Sequence, residues 1–499
     1  MIAPSAARSP TDMRTYVPDS STFTASARSG ARSPIVLRMP LGDHTPLSIH
    51  AALRAHYGRA LLLESGKSGR YSYVGLPVGE PFVASGRSVT MPDGSRLETD
   101  PFDALRTLLA AESIVGNEQL GGFAGGYIGY LAYDMARHIE RIPERTLADP
   151  DIPDCQFLLV ETFCEIDHED RTLGLVAVPR VGDDPLDTWR AATDRLAELD
   201  AILAGEDSRS EVTAEPSRAV ADYPSPVQNL SAEDFHRIVA RAREYIRAGD
   251  IFQVNLSVRF AVPFAADPLE LYRTLRAINP APYMSLLELS GLAIVSASPE
   301  LLIRVRDGVV ETRPIAGTRP RGATEEEDER NARKLSENEK ERAEHLMLVD
   351  LERNDLGRVC RFGSVRVEEF MGIERYSHVI HIVSHIRGEL AEGRDTIDAI
   401  RACFPGGTIT GAPKVRSMEI IEELEPHRRG VYTGSIGWLG FDGNAELNIA
   451  IRTIVIAGGT AYAQAGAGIV YDSVPEHEYF ESVRKARAAL EALERTHAS

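Results

Sequence analysis

From Pro34 to Ala204, short apolar runs alternate with turn residues. Ala60 to Leu63, Gly125 to Tyr130 and Phe157 to Val160 read as strands, because apolar side chains cluster over strand-length segments bounded by Gly, Pro and polar residues. Helical spacing shows over 102–111 and 186–204. Residues 205–229 are polar, contain Pro and have no period, which marks a linker. Beyond it, Ser231 and Asp234 have the spacing of a capping box, and Phe235, Ile238, Val239, Ala242, Tyr245 and Ile246 repeat as one helix face until Gly249 stops it. A strictly alternating strand follows. Phe252, Val254, Leu256, Val258 and Phe260 share one face, and Gln253, Asn255, Ser257 and Arg259 share the other. In an enzyme that polar face could line the active site; by its chemistry alone it is expected in solvent.

These patterns mix strands with helices, and the resemblance carried by the motifs below implies an α+β fold of two large antiparallel sheets packed face to face, with helices outside. The expected division is a disordered tail over 1–34, an N-terminal domain over 35–204, the linker 205–229 and a second domain over 230–499. The tail is rich in Ser, Ala, Arg, Pro and Thr, and lacks the apolar stretch of a signal peptide. Asp12 and Asp19 speak against a transit peptide.

Composition narrows the function. A formal charge of −19 over 499 residues offers too little Lys/Arg density for nucleic acid or an anionic membrane. No apolar run approaches the ~18 residues of a membrane span. Cys155, Cys164, Cys360 and Cys403 show no C-x-x-C spacing, which fits free thiols in the cytoplasm. None sits in a nucleophile context, so a glutaminase activity is not expected within this chain. An anionic substrate would need local positive charge from a metal or from particular Arg and Lys residues.

Two helical stretches carry Glu-x-x-Glu. One runs from Glu325 to about Leu356 and contains Glu341 and Glu344; the other, from Pro475 to Arg495, contains Glu478 and Glu481. Residues three apart share a helix face, and two such helices could hold Mg²⁺, which takes oxygen ligands. The plain alternative is a set of solvated glutamates paired with Lys340 or Lys485. A di-iron site is disfavoured, since His345 follows Glu344 directly rather than at Glu-x-x-His spacing. Residues 404–415, with several glycines, Thr408, Thr410 and Lys414 before an amphipathic helix, could cradle a carboxylate or phosphate, though they lack Walker spacing. They could equally form an ordinary turn. Gly466 to Gly468 offer a second close approach of backbone. Taken alone, Arg452 and Tyr432 read as buried structural residues.

Six blocks, in order, change the weight of these features: "SASPELLIRV", "RPIAGTRPRG", "EKERAEHLMLVDLERNDLGRV", "RYSHVIHIVSHIRG", "FPGGTITGAPKVRSMEIIEELEP" and "QAGAGIVYDSVPEHEY". Together they resemble the chorismate-utilising enzymes, whose members include the large subunits of anthranilate synthase and aminodeoxychorismate synthase. The resemblance implies a magnesium shell of Glu341, Glu344, Glu478 and Glu481, with Glu341 and Glu478 as direct ligands. It implies Glu300 as the acid that protonates the departing hydroxyl of chorismate, with His381 positioning the reacting centre. Tyr432, Arg452 and the backbone of Gly466, Ala467 and Gly468 would bind the enolpyruvyl carboxylate, beside Lys485. Thr318 and Thr408 would line the pocket.

Gln253 stands where water-adding relatives resemble one another in a Lys base, so ammonia is the implied nucleophile. Ala316 replaces a Lys that attacks C2 covalently in many aminodeoxychorismate synthases. "LLLESGKSGRYSYVG", with Pro282, Tyr283 and Met284, resembles a tryptophan feedback pocket in which Glu64 and Ser65 would hold the effector. The expectation is therefore an anthranilate synthase component I, working with a glutamine amidotransferase subunit in a hetero-oligomer, with tryptophan as a candidate inhibitor. The alternatives are an aminodeoxychorismate synthase component I and, from another class, a non-catalytic tryptophan-binding regulator.

Overall fold

In the computed structural model, which describes residues 15–66, 69–205, 223–375 and 379–497, the alternating run becomes the strand Gln253–Pro263. Its polar face does not meet solvent: Gln253, Asn255, Ser257 and Arg259 are at most 8% exposed. Phe252 lies outside the strand and is exposed, so it does not share the buried face of Val254, Leu256, Val258 and Phe260. Burying polar groups is costly unless they find partners. Ser257 finds one in Glu425, which its hydroxyl and N–H reach at 2.8 and 2.9 Å. Gln253 Oε1 and Asn255 Oδ1 find none.

The strand pairs antiparallel with Thr460–Ile469 over ten positions, from Val254 opposite Ile469 to Pro263 opposite Thr460. Strands from the first half interleave with those of the second. Leu61–Ser65 pairs with Tyr283–Leu289, and Gly126–Leu131 with Ser435–Gly440. Among the described residues the named strand pairings are all antiparallel, and ladder bonds connect 23 strands into one network. The result is the expected α+β fold, mostly antiparallel. Its largest core joins the halves as well: Phe123 lies 4.9 Å from Phe163 and 5.4 Å from Trp438, ring centre to ring centre. Truncating so large a buried ring costs about 3–5 kcal/mol.

Three local expectations need correction. Part of the predicted tail is folded: Tyr16–Val17 pairs with Ile35–Pro40, and the helix Ser20–Ser26 follows. Asp19 caps that helix through the N–H of Thr22 at 2.8 Å, and Phe23 is fully buried in a second core. One capped turn with one aromatic anchor is enough, and bulk composition hides it. Residues 1–14 lie outside the described residues. So do 206–222 of the predicted linker, whose last part instead forms a strand, Val227–Gln228, paired with Phe260 and Ala261. The helix expected across 325–356 is two helices, Glu325–Ser336 and Glu339–Gly357. Asn338 breaks it, taking extended backbone and accepting the N–H of Glu341 on its side chain at 3.0 Å. This places Glu341 in the first turn of the second helix.

Candidate active site

Glu300 sits in the turn between the strands Leu292–Ser298 and Leu301–Arg306. The turn is pinned from two sides. Ser298 Oγ donates to the carbonyl of Ile449 at 2.6 Å, and the carbonyl of Glu300 accepts the N–H of Ile449 at 2.9 Å. Burial pushes the Glu300 carboxyl up to about 7, while the nearby Thr408 hydroxyl, the Ile315 N–H and Lys485 pull it back. Neither Glu300 Oε1 nor Thr408 Oγ1 makes a hydrogen bond of good geometry. A carboxyl that stays protonated near neutrality with an uncommitted oxygen is suited to donating a proton.

The two Glu-x-x-Glu helices present their carboxylates to each other. Burial raises the pKa of Glu344, and the charges of Glu341 and Glu481 add to the rise. Burial likewise raises Glu478, the Ser473 hydroxyl opposes, and Glu481 adds to the rise. Burial also acts on Glu481, but Lys485, at 2.8 Å, brings it below the ordinary range. Glu341 lies 3.3 Å from Arg319, a neighbour the sequence reading missed. A Cβ added to Gly317 would come within 2.9 Å of Glu341 Oε2, and with φ at +61° glycine is the residue that fits.

All four glutamates are half-buried rather than solvated, although the Glu481–Lys485 pair is the helical contact the plain alternative foresaw. Among the described residues no three acidic, imidazole or thiol groups stand at ligand spacing as placed. The donor set nonetheless fits a hard dication. It consists of carboxylates from two helices, with Glu344 and Glu478 raised by burial and by neighbouring carboxylates, and Arg319 and Lys485 close by.

Next to this cluster lie Arg452, Tyr432 and the strand carrying Gly466 to Gly468. Burial lowers the pKa of Arg452, and among the described residues no carboxylate lies within 4 Å of its guanidinium. A half-buried cation that only the more distant charge of Glu481 offsets is suited to a ligand that arrives with a negative charge. Tyr432, 7% exposed, is its neighbour. Gly466, Ala467 and Gly468 lie opposite Ser257, Leu256 and Asn255. A Cβ on Gly466 would meet Leu256 O at 2.4 Å and Asn255 Oδ1 at 2.7 Å; one on Gly468 would meet Gln253 Nε2 at 2.6 Å. Glycine at both positions lets the Gln253 and Asn255 side chains cross this backbone. Asn255 thus joins the site from a face the periodicity had assigned to solvent.

His381 Nδ1 is 3.0 Å from the carbonyl of Gly317. Since a carbonyl only accepts, Nδ1 carries the proton, and burial lowers the ring's pKa, which favours the neutral form. Thr318 is the backbone partner of His381; its side chain lies outside the described residues.

The cradle expected at 404–415 is corrected in part. Lys414 donates to Asp355 at 2.6 Å and to the carbonyl of Cys403 at 2.9 Å, and Thr410 donates to the carbonyl of Gly406 at 2.8 Å. Both are consumed internally, which leaves Thr408 as the residue of that loop turned to Glu300.

The residues read as an effector pocket also meet. Ser65, Pro282 and Tyr283 line a cavity of about 300 Å³, and Glu64 and Met284 line an adjoining one of about 40 Å³. The carboxylate of Glu64 is already engaged, accepting from Tyr272 Oη at 2.5 Å and from Arg276 at 2.8 to 3.0 Å.

A family model described as chorismate binding enzyme matches residues 59–491. The chain is 46% identical to aminodeoxychorismate synthase component 1 of Bacillus subtilis strain 168, over 93% of this chain and 97% of that one. It is also 46% identical to anthranilate synthase component 1 of Thermus thermophilus, over 90% and 95%. Among solved structures, anthranilate synthase component I of Streptococcus pneumoniae superposes with a TM-score of 0.73 at 34% identity, covering 85% of this chain and 93% of that one.

Proposed function

This chain belongs to the chorismate-binding enzyme family, as component I of an anthranilate or aminodeoxychorismate synthase, and we propose that it is the anthranilate-forming kind. In this reading ammonia forms a bond to C2 of chorismate as the C4 hydroxyl departs. Glu300 gives that hydroxyl its proton, so it leaves as water, and regains a proton from the ammonium group just formed. The C2 proton is then lost as the C3–O bond breaks and the enolpyruvyl methylene gains a proton, so that the side chain leaves as pyruvate and an aromatic amine remains.

Arg452, with Tyr432 and the Gly466–Gly468 backbone, holds the enolpyruvyl carboxylate. Neutral His381, tied through Nδ1 to Gly317, orients the reacting ring. Glu341 and Glu478 would hold Mg²⁺ directly, with Glu344 and Glu481 around them, and the ion would supply charge neutralisation for a substrate carboxylate.

The observation that carries the choice is the shortage of free amines. The chain has five lysines, Lys67, Lys334, Lys340, Lys414 and Lys485, and position 316 is alanine. Lys414 is bound to Asp355, and Lys485 to Glu481 and Gly466. Lys340 stands at the acidic helices, where its charge acts on Glu344, Glu478 and Glu481. With alanine at 316, where the attacking lysine would stand, ammonia is the nucleophile at C2 in this reading. Gln253, which cannot serve as a base for water, supports the same reading.

The identity to the Bacillus subtilis relative favours a second reading, in which the amine enters at C4 and pyruvate is retained. Incubating the chain with chorismate, Mg²⁺ and ammonium distinguishes them. Fluorescent anthranilate with stoichiometric pyruvate is expected; accumulation of 4-amino-4-deoxychorismate overturns the proposal. Glutamine should replace ammonium only when a glutaminase subunit is added.

A further inference from the structure

Gln253 and Asn255 stand two apart on the buried polar face of the strand Gln253–Pro263. Neither Gln253 Oε1 nor Asn255 Oδ1 has a hydrogen-bond partner among the described residues. Leaving a buried acceptor unpaired is costly, so an oxygen of this kind points to a donor that arrives from outside. The backbone beneath them is held on several sides. The Asn255 N–H donates to the carbonyl of Thr410 at 2.8 Å, the Asn255 carbonyl accepts from Arg429 Nη2 at 2.8 Å, and the Gln253 carbonyl accepts from Ser417 Oγ at 3.0 Å. The two amides lie across Gly466 and Gly468, on the strand whose Gly466 carbonyl takes Lys485.

A carboxylate cannot serve as that donor, because its oxygens would meet oxygen lone pairs. The two amide oxygens therefore do not belong to the groups that receive the enolpyruvyl carboxylate, although they share the glycine strand with them. Of the donors the reaction brings, the C4 hydroxyl is assigned to Glu300, which leaves the incoming nitrogen. We propose that Asn255 holds ammonia for attack, Oδ1 accepting one N–H and Gln253 Oε1 a second, with the nitrogen lone pair left for C2 of the ring. Residues two apart on a strand point the same way, which aims both side chains at one space. Being uncharged, amide oxygens favour ammonium less than carboxylates would, and ammonium has no lone pair to give. As the N–C2 bond forms, the nitrogen gains positive charge and its hydrogen bonds strengthen, so the pair holds the transition state more tightly than free ammonia. The surplus proton then passes to Glu300, which has given its own to the departing hydroxyl. This rests on the reading that ammonia adds directly to chorismate.

Steady-state rates with ammonium as the nitrogen source, followed as loss of chorismate so that either product registers, test this. Asn255→Val and Asn255→Thr have nearly the same shape, suit a strand, and differ in one acceptor oxygen. Asn255→Val should lower kcat/KM for ammonia about ten- to hundredfold and leave the KM for chorismate within about threefold of wild type. Asn255→Thr, whose hydroxyl still accepts, should exceed Asn255→Val by about fivefold or more on the same measure. Asn255→Ala removes the oxygen without a branched side chain; it should match the Val variant, and it decides the point if that variant does not fold. The proposal is overturned if Val or Ala keeps the wild-type kcat/KM for ammonia, or if Thr is no better than Val. It is equally overturned if the KM for chorismate rises by the same factor, which would assign Asn255 to the substrate. A 4-amino-4-deoxychorismate product with this pattern intact would instead count against the anthranilate reading and leave the ammonia site standing.

Discussion

Lys485 Nζ donates to the carbonyl of Gly466 at 3.1 Å while lying 2.8 Å from Glu481. One ammonium thereby links the acidic helices to the strand carrying Gly466 to Gly468, and its charge also reaches Glu300. Lys485→Met should raise the pKa of Glu300, moving the alkaline limb of the kcat/KM profile upward, and should raise the KM for chorismate about tenfold. An unmoved limb would remove Lys485 from the site's electrostatics.

Glu300 titrates at about 7, so its proton-donating form is lost as pH rises through that value. At fixed free-ammonia concentration kcat/KM should fall through this window, and Glu300→Gln should lower kcat about 10²- to 10⁴-fold. The folded pKa lies above the ordinary 4.5. The associated stability is therefore full below about 4.5 and is lost as pH rises toward 7, by roughly 3 kcal/mol. Melting curves of Glu300→Gln should lack that slope; an unchanged slope would mean Glu300 is not the buried acid described.

Arg452 is half-buried, with no carboxylate within 4 Å among the described residues and Glu481 acting on it from further away. Arg452→Gln should cut kcat/KM roughly ten- to hundredfold, and Arg452→Lys should rescue little, because an ammonium cannot reproduce the fork. The Gln variant should nonetheless melt at or above the wild-type temperature, since it removes a charge that has no close carboxylate. A less stable variant would assign Arg452 a structural task.

The acidic helices should respond as a unit. Chelation with EDTA should abolish activity reversibly, and Glu341→Gln or Glu478→Gln should raise the Mg²⁺ needed for half-activity about ten- to hundredfold. Glu344→Gln without added Mg²⁺ should be more thermostable than wild type, because it relieves repulsion among neighbouring carboxylates. Mg²⁺ titrations that coincide for all these variants would remove the glutamates from metal binding.

Much of this was legible in the chain. The spacing of Glu341, Glu344, Glu478 and Glu481, the glycines at 466 and 468, and the cap at Ser231 follow from local geometry, which sequence records well. What escaped depends on distant neighbours. Asn255 and Gln253 look like a solvated face because alternation reports polarity, not whether a second sheet layer or a helix covers it. Arg319 beside Glu341, and Lys414 spent on Asp355, are contacts between segments far apart in sequence. The break at Asn338 needed one capping bond to outweigh a run of good helix formers.

The ladders between Leu61–Ser65 and Tyr283–Leu289, and between Gly126–Leu131 and Ser435–Gly440, give the backbone a topology that does not depend on the segment joining its two halves. Residues 15–205 and 223–499 made as separate polypeptides should therefore complement each other in one cell, each supplying strands that the other's sheet lacks. Neither piece alone should stay in solution, because each would display unpaired strand edges that template aggregation. The chain is in this sense two interwoven ribbons, and a natural gene split at that point would be tolerated.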